Sequence, residues 1–271
     1  MLDTYAVMGN PIDHSLSPII HHAFAAQTEQ RLVYEKICID PDNFPSQVTD
    51  FFKKGGKGLN ITLPCKQQAY EMSEVHTKRC EQAGAANTLW MHDGQLHADN
   101  TDGIGLLRDL ARFIPIASKS ILILGAGGAA HGIIGPLLSQ RPARIMIANR
   151  TLAKAAALKT QFPDIMVCDL VSLSGSGDYD VIINATSLSL AGHTIELPGR
   201  LMQTRPFCYD LAYDIRQDTP FVHQAKQSSC QATDGLGMLV EQAAEAFYIW
   251  RGMVPDTRSV LSQLRKKISD R

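Results

Sequence analysis

No stretch of this sequence stays apolar for the roughly 18 residues that a membrane-spanning helix needs, so no membrane segment is expected. An excess of one charge is missing too. Lys and Arg (26) nearly balance Asp and Glu (27), and the cations are scattered. That removes the basic patch by which a protein holds nucleic acid, so no nucleic-acid partner is expected. The six cysteines (Cys38, Cys65, Cys80, Cys168, Cys208, Cys230) form no C-x-x-C pair and no zinc-like spacing. Free, mostly buried thiols in a reducing cytoplasm are the expectation. Cys65 is the exception, because the neighbouring Lys66 ammonium would lower its pKa and make it somewhat reactive. The nine histidines include no H-E-x-x-H, and no metal site is expected. Internal repeats and low-complexity tracts are absent. Met1-Leu2-Asp3 starts with an acid and runs into a short apolar strand, unlike a secretory leader.

What is present is a globular composition. With 271 residues and 45% hydrophobic content, two domains are expected. Strands are expected at Thr4–Gly9, Val33–Ile39 and Gly58–Thr62. A helix should open at Ser17-Pro18, with Ser17 as its cap, and a second should run over Phe44–Lys53 and close at Gly55-Gly56. Thr88–His92 and Gln95–Ala98 flank Asp93-Gly94, a hairpin turn signal. After a helix from Gly103 to Phe113 the pattern changes. Strands at Ser120–Leu124, Arg144–Ala148, Asp180–Asn184 and Phe207–Leu211, with helices at Ala129–Ser139 and Leu152–Phe162, imply a parallel sheet. Gly235-Leu236-Gly237 reads as a hinge before a long helix, Met238–Arg251, with an apolar stripe at Leu239, Ala243, Ala246, Phe247 and Trp250. Asp256 should begin a last helix whose basic end, Arg265-Lys266-Lys267, suits the dipole.

The expected fold class is α/β with two domains. One is a Rossmann-like, doubly wound, NADP-binding domain (residues 103–237). The other is a smaller α/β substrate-binding domain (residues 1–102 plus 238–271). The chain crosses between them twice, and an active site in the cleft, with closure about the crossings, is expected.

Gly125-Ala126-Gly127-Gly128-Ala129-Ala130 lies between a strand and a helix, the context a dinucleotide fingerprint requires. Glycines there tighten the turn and admit a pyrophosphate to the helix N-terminus; the plainer reading is a structural turn. The next strand ends in Asn149-Arg150-Thr151, with Lys154 one turn on, where an NAD site would carry an acid. Thr151 reads as an N-cap, which puts Lys154 in a first helical turn that disfavours cations. A bound 2′-phosphate would relieve this, so NADP is expected over NAD; a solvated basic turn is the alternative.

Upstream, Asn60-Ile61-Thr62-Leu63-Pro64-Cys65-Lys66 and Asp99-Asn100-Thr101-Asp102-Gly103 bring amides, hydroxyls, a lysine and an aspartate into short strings. Each has an ordinary reading. Lys66 can be a solvated lysine at a helix start, Asp102 a cap, Ser15 and Ser17 turn and cap residues, and Asn60, Thr62 and Asn87 partners of local backbone. Gln242 can be a polar edge beside the helix stripe.

Taken together these strings resemble the shikimate 5-dehydrogenase family. The matching stretches are Gly9–Pro18, Asn60–Lys66, Ala86-Asn87-Thr88, Asp99–Gly103, Gly125–Ala130, Asn149–Thr151, Asn184-Ala185-Thr186-Ser187 and Asp234–Ala243, in the family's order from end to end. The resemblance implies NADP-dependent reduction of 3-dehydroshikimate to shikimate, a step towards aromatic amino acids. It implies that Ser15 and Ser17 hold the substrate carboxylate. Asn60, Thr62, Asn87 and Gln242 would bind the rest of the substrate, mainly its ring hydroxyls, and Tyr213 would close over it. Lys66 and Asp102 match the family's catalytic pair. Asn184, Thr186, Gly235 and Met238 would line the dinucleotide site beside Gly125, Ala126, Gly127, Gly128 and Ala129. Hydride addition to a ketone builds negative charge on oxygen, which an ammonium stabilises and can protonate; a carboxylate beside it orients the ammonium. The chain departs from the family at Leu188-Ser189, where a glycine is usual, and in a spacing about one residue longer between Tyr213 and Thr219-Pro220. An NAD-using quinate/shikimate relative and a non-catalytic binding module on the same fold are the rival readings. The partner is a small molecule, and a homodimer is left open.

Overall fold

The computed structural model describes residues 2–269 and divides into two compact units. One unit comprises Met1–Gly105 and Leu239–Leu264; the other comprises Leu106–Met238 and the residues from Arg265 on.

The first unit is a six-stranded sheet with helices. Its elements are β1 (Asp3–Gly9), α1 (Ser17–Gln27), β2 (Leu32–Cys38), α2 (Phe44–Lys53), β3 (Gly58–Ile61), α3 (Lys66–Met72), β4 (Val75–His76), α4 (Lys78–Ala83), β5 (Thr88–His92), β6 (Gln95–Asp99) and the start of α5 (Asp102–Leu110). The strand order is β2-β1-β3-β5-β6-β4. β1 lies between two parallel neighbours, so the chain leaves it one way to reach β2 and returns past it to β3. β5 runs antiparallel to β3 with Asn60 opposite Thr88, and β6 returns with Asp99 opposite Thr88. The ends of β1, β3 and β6 and the start of β5 therefore meet at one end of the sheet. Alternate residues of β1 serve opposite faces, as the strand period requires. Ala6 and Met8 pack with Phe44, Leu59 and Leu89, while Tyr5 and Val7 pack with Ile12 and Tyr34. The Asp93-Gly94 turn forms with both residues at positive φ, as a two-residue hairpin needs.

The second unit holds β7 (Ser120–Leu124), α6 (Gly128–Ser139), β8 (Arg144–Ala148), α7 (Leu152–Gln161), β9 (Met166–Cys168), β10 (Val181–Asn184), α8 (Gly199–Gln203), β11 (Phe207–Asp210), α9 (Pro220–Gln227) and β12 (Ala232–Thr233). Its sheet is parallel throughout, in the order β12-β11-β10-β7-β8-β9. The central strand is buried on both faces: Ile121 and Ile123 join one core, Leu122 and Leu124 the other. From β7 the chain winds outward through β8 and β9, then restarts beside β7 at β10. This reversal is the doubly wound arrangement, and loops at the carboxyl ends of β7 and β10 flank its crevice.

Two helices carry the unit boundaries. Gly105 and Leu106 fall inside α5, and Met238 and Leu239 inside α10 (Leu236–Arg251). The expected hinge at Gly235-Leu236-Gly237 is corrected by this, because Leu236 and Gly237 are already helical. The glycines serve close packing. A Cβ at Gly237 would run into the buried Asp109 carboxylate, and one at Gly235 into the Leu211 carbonyl. The α10 stripe packs as its period implies, with Ala243, Ala246 and Phe247 fully buried and Trp250 stacked on Tyr5 at 4.9 Å. Asp256 caps α11 (Thr257–Ser269) by accepting from the Arg258 and Ser259 N–H groups. Arg265 pairs with Asp234; the Lys267 side chain lies outside the described residues. All six cysteines are free thiols, and four of them are buried.

Among the described residues, the core of the first unit contains a titratable ring whose nitrogens make no hydrogen bond. His21 on α1 is 1% exposed, its ring nitrogens make no hydrogen bond, and it stacks on Tyr34 at 4.2 Å. Burial lowers its pKa from the ordinary 6.5 to about 3. Above pH 6.5 neither folded nor unfolded chain protonates it. Below that, the unfolded chain takes up a proton that the folded chain refuses, so stability falls as pH drops from 6.5 towards 3. At pH 5 this group should cost roughly 2 kcal/mol. Urea unfolding at pH 7 and pH 5 should show a smaller loss for His21→Phe than for the parent chain; equal losses would contradict the assignment.

Candidate active site

The sheet end in the first unit gathers the polar residues that the sequence singled out. Lys66 is the first residue of α3, directly after the β3 loop, and Asp102 is the first of α5, directly after the β6 loop. Lys66 Nζ donates to Asp102 Oδ2 at 2.6 Å, with the two side chains 27% and 17% exposed. Asn87, just ahead of β5, donates from Nδ2 to Asp102 Oδ1 and to Thr101 Oγ1, each at 2.9 Å. Gln242 reaches in from α10: its Oε1 accepts from Asn87 Nδ2 at 3.3 Å, and its Nε2 donates to the Leu239 carbonyl. Asp102 does not cap its own helix. Its carboxylate oxygens are taken by Lys66 and Asn87, while Asn100 Oδ1 accepts the Asp102 N–H at 3.1 Å. A carboxylate at the start of α5 is favoured by the helix dipole, and it compensates the cation at the start of α3. Lys66 has two N–H groups left and Gln242 has one, all at the same end of the sheet.

The β1 and β3 loops close against each other, with Asn10 N donating to Leu63 O at 3.0 Å and Thr62 N to Met8 O at 2.9 Å. This puts Thr62, whose hydroxyl makes no hydrogen bond among the described residues, beside Met8 and Gly9, where the loop that carries Ser15 and Ser17 begins. Ser17 does not cap α1, contrary to expectation. The helix starts at Ser17 itself, and Ser15 Oγ accepts the Ser17 N–H at 3.3 Å. Ser17 turns inward beside the Tyr34 phenol. Asn60 is 5% exposed, and both its amide hydrogens are used, on Asn87 O and Thr88 Oγ1. The expected reactivity of Cys65 is corrected. The thiol is 1% exposed and burial pushes its pKa up, because the Lys66 ammonium points to Asp102 instead.

In the second unit, the β7 loop and the β10 loop meet at the crevice. Gly125 has φ +103°, and a Cβ there would press on Thr186 and the Ala185 carbonyl. Gly127 stands at the N-cap of α6 with no side chain to cap it, and space is open where a Cβ would stand at Gly127 or Gly128. The first turn of α6 carries no acid. Uncapped N–H groups facing open space are what a pyrophosphate needs. Ala126 packs on the core below, and Ala129 is exposed. At the end of β8, Asn149 Nδ2 donates to Thr151 O at 2.8 Å and shapes the turn. Thr151 occupies the N-cap of α7, but its hydroxyl makes no cap bond. The Arg150 and Lys154 side chains are exposed and have no partner among the described residues, beside a helix start that has no acid. The residues present fit a dinucleotide with an added phosphate on the ribose. Among the described residues no group of three or more His, Cys, Asp or Glu is placed to hold a metal.

Comparison with known proteins matches most of the chain to one family. The family model for the shikimate dehydrogenase substrate binding domain matches residues 7–89, that for shikimate / quinate 5-dehydrogenase residues 109–219, and that for the shikimate 5'-dehydrogenase C-terminal domain residues 235–265. A shikimate dehydrogenase (NADP(+)) of Legionella pneumophila (strain Lens) is 57% identical over 265 residues, covering 98% of this chain and 99% of the relative. The chain belongs to the shikimate dehydrogenase family. Among solved structures, an Ael1 enzyme from Pseudomonas putida is 43% identical with TM-score 0.91, covering 97% of this chain and 98% of that one. The shikimate 5-dehydrogenase of Thermus thermophilus, solved in complex with NADP(H) and shikimate, is 30% identical with TM-score 0.88, covering 99% of this chain and 100% of that one.

Within this shikimate dehydrogenase fold, several residues that organise the site escaped the sequence reading. Thr101, Thr88 and Tyr34 complete the network around Asn60 and Asn87. In the second unit the organiser is Asp210, at the end of β11 and fully buried. Asn184 Nδ2, Ser189 Oγ, Thr219 Oγ1 and Ala212 N all donate to its carboxylate, at 2.6–3.1 Å. Burial raises its pKa, opposed by these donors. Asn184 is itself buried, with its Oδ1 accepting from Thr186 N and Oγ1, so it shapes the β10 loop from within. The departure at Leu188-Ser189 becomes a short 3-10 turn tied down by Ser189. Tyr213 follows β11 in the same knot, and burial with the nearby Asp234 pushes its phenol up to about 12. Gly235 N donates to Ala212 O at 2.9 Å, and Met238 packs on the core. The pairing of Asn184 with Asp210 across adjacent strands is the signal that could have found Asp210. Asp210→Ala strands four donors, three of them buried, and should destabilise the protein by about 3 kcal/mol or more; urea unfolding that differs from the parent by under about 1 kcal/mol would contradict its organising role.

Proposed function

We propose that this chain is an NADP-dependent shikimate dehydrogenase, catalysing the reversible reduction of 3-dehydroshikimate to shikimate in the route to aromatic amino acids. The observation that carries the reading is the Lys66–Asp102 pair, 2.6 Å apart, at a sheet end furnished with hydroxyl and amide donors. NADPH, when bound, supplies the hydride. The protein supplies the proton and the charge stabilisation. As the ketone oxygen becomes an alkoxide, the Lys66 ammonium stabilises it and passes a proton to it. Asp102 holds the ammonium in line through Oδ2, and its Oδ1 is kept from swinging by Asn87. In the reverse direction Lys66 accepts the proton from the substrate hydroxyl. Ser15 and Ser17 are assigned to the substrate carboxylate, Ser17 by turning its hydroxyl away from the Tyr34 phenol, and the free Thr62 hydroxyl and Gln242 amide N–H to the ring hydroxyls. Asn60, with both amide hydrogens taken, contributes by fixing Asn87 and Thr88. Tyr213 is assigned to cover the substrate.

The cofactor is held by Gly125–Ala130 at the start of α6, with Asn184, Thr186, Gly235 and Met238 shaping the neighbouring wall. Arg150 and Lys154, unpaired beside an acid-free helix start, are assigned to the 2′-phosphate. This favours NADP over the NAD-using quinate relative. The reading includes a cytoplasmic enzyme, which six free thiols suit, acting on small molecules without nucleic acid.

Lys66→Ala should lower turnover by about 10²–10⁴-fold while NADPH binding, followed by its fluorescence, stays at the parent value. Near-parent turnover would remove Lys66 from the chemistry. Arg150→Ala should raise the KM for NADP about tenfold or more with little change for NAD; an equal effect on both would remove the phosphate assignment.

A further inference from the structure

Tyr34 belongs to β2, in the core of the first unit, and is 3% exposed. Its ring is pinned flat against His21, at 4.2 Å and 7° between planes. The parallel stack keeps the phenol hydroxyl away from the His21 ring nitrogens, which make no hydrogen bond among the described residues, and beside Ser17. The phenol instead donates to Asn60 Oδ1 at 2.7 Å. Asn60 Nδ2 donates to Thr88 Oγ1 at 3.1 Å, Thr88 Oγ1 to Asn87 Oδ1 at 2.9 Å, and Asn87 Nδ2 to Asp102 Oδ1 at 2.9 Å. Two backbone contacts fix the sense of this chain. Asn60 Nδ2 faces the Asn87 carbonyl, which can only accept, and Asn87 Oδ1 faces the Thr101 N–H, which can only donate. Each amide therefore has one allowed orientation, and every hydrogen along the chain points from Tyr34 towards Asp102. Hydrogen bonds that run in one sense polarise one another. The chain ends on the carboxylate that holds Lys66.

We infer that Tyr34 is a positioning residue for the reaction: its phenol anchors a one-way hydrogen-bond chain through Asn60, Thr88 and Asn87 that fixes the Asp102 carboxylate under Lys66. Without the hydroxyl, Asn60 Oδ1 loses the donor that holds it, and the slack passes along the chain. The inference rests on the function proposed above.

Tyr34→Phe tests it, since the ring and its stack on His21 remain. The control is Tyr5→Phe, which removes another buried phenol from the same sheet, on the neighbouring strand β1, outside the chain. Shikimate oxidation with NADP should show kcat at least fivefold lower for Tyr34→Phe, with a smaller change in the KM for shikimate and none in NADPH binding. Tyr5→Phe should stay within twofold of the parent. In an Asn60→Ala background, adding Tyr34→Phe should change kcat less than twofold, because the chain is already cut. Thr88→Val breaks the same chain further along, should lower kcat in the same way, and serves if Tyr34→Phe fails to fold. A kcat within twofold of the parent for folded Tyr34→Phe or Thr88→Val overturns the inference, as does a full additional loss in the Asn60→Ala background. If the unaltered enzyme does not oxidise shikimate, the proposed function itself falls, and this inference with it.

Discussion

The Asp102 carboxylate is held from both sides, and the rest of the site in the first unit follows from that. One oxygen takes the Lys66 ammonium and the other the Asn87 amide. Those three residues come from three loops, after β6, after β3 and before β5. A carboxylate with only one partner would be free to rotate and would carry the ammonium with it. With two partners, and with the second oriented by Thr101, Thr88 and Gln242, the ammonium has one place to be. The requirement explains why polar side chains as buried as Asn60 and Asn87 sit in an otherwise apolar region, since each is fully engaged and so escapes the penalty for an unmet hydrogen bond.

Both units make their loops meet by the same topological device. In the first, β1 lies between β2 and β3; in the second, β7 lies between β8 and β10. In each case the chain leaves a central strand in one direction and later returns to its other side, so consecutive loops diverge and leave room at the strand ends. The first unit uses that room for hydroxyl, amide, lysine and carboxylate groups. The second uses it for bare glycine backbone at a helix start. The second unit also has its own buried carboxylate, Asp210, which gathers four donors from two loops as Asp102 gathers two partners. A buried carboxylate is costly unless its oxygens are engaged, and here four donors engage them.

Much of this is legible in the sequence, because the informative residues lie in short strings. Gly125–Ala130 is readable as a glycine turn between a strand and a helix, and Asn149-Arg150 as a strand end without an acid. Asp93-Gly94 marks its hairpin, and the period of Leu239, Ala243, Ala246 and Phe247 marks the buried side of α10. The misreadings share a cause: a residue's partner lies far away in sequence. Adjacency pairs Cys65 with Lys66, but the ammonium goes to Asp102, 36 positions on. Ser17 has the sequence position of a cap, but its side chain turns towards Tyr34, while Ser15 receives the backbone N–H. Gly237 looks flexible in sequence, but it makes room for the carboxylate of Asp109. Asp210 ends an apolar strand, and Tyr34 lies in a strand that also carries Glu35 and Lys36; neither has a local signal of its role. The strands β4, β9 and β12 are only two or three residues long, too short for a period-2 pattern to register.

The central claim is that one sheet end presents a lysine-carboxylate pair to a shikimate-class ketone or alcohol while the other unit selects NADP by a phosphate. The most direct test is the initial rate of nicotinamide reduction by the purified protein with shikimate or quinate, each supplied with NADP or NAD. Rapid reduction confined to shikimate with NADP is the expected result. Comparable rates with NAD would contradict the assignment of Arg150 and Lys154, and no reduction in any of the four pairings would contradict the account as a whole.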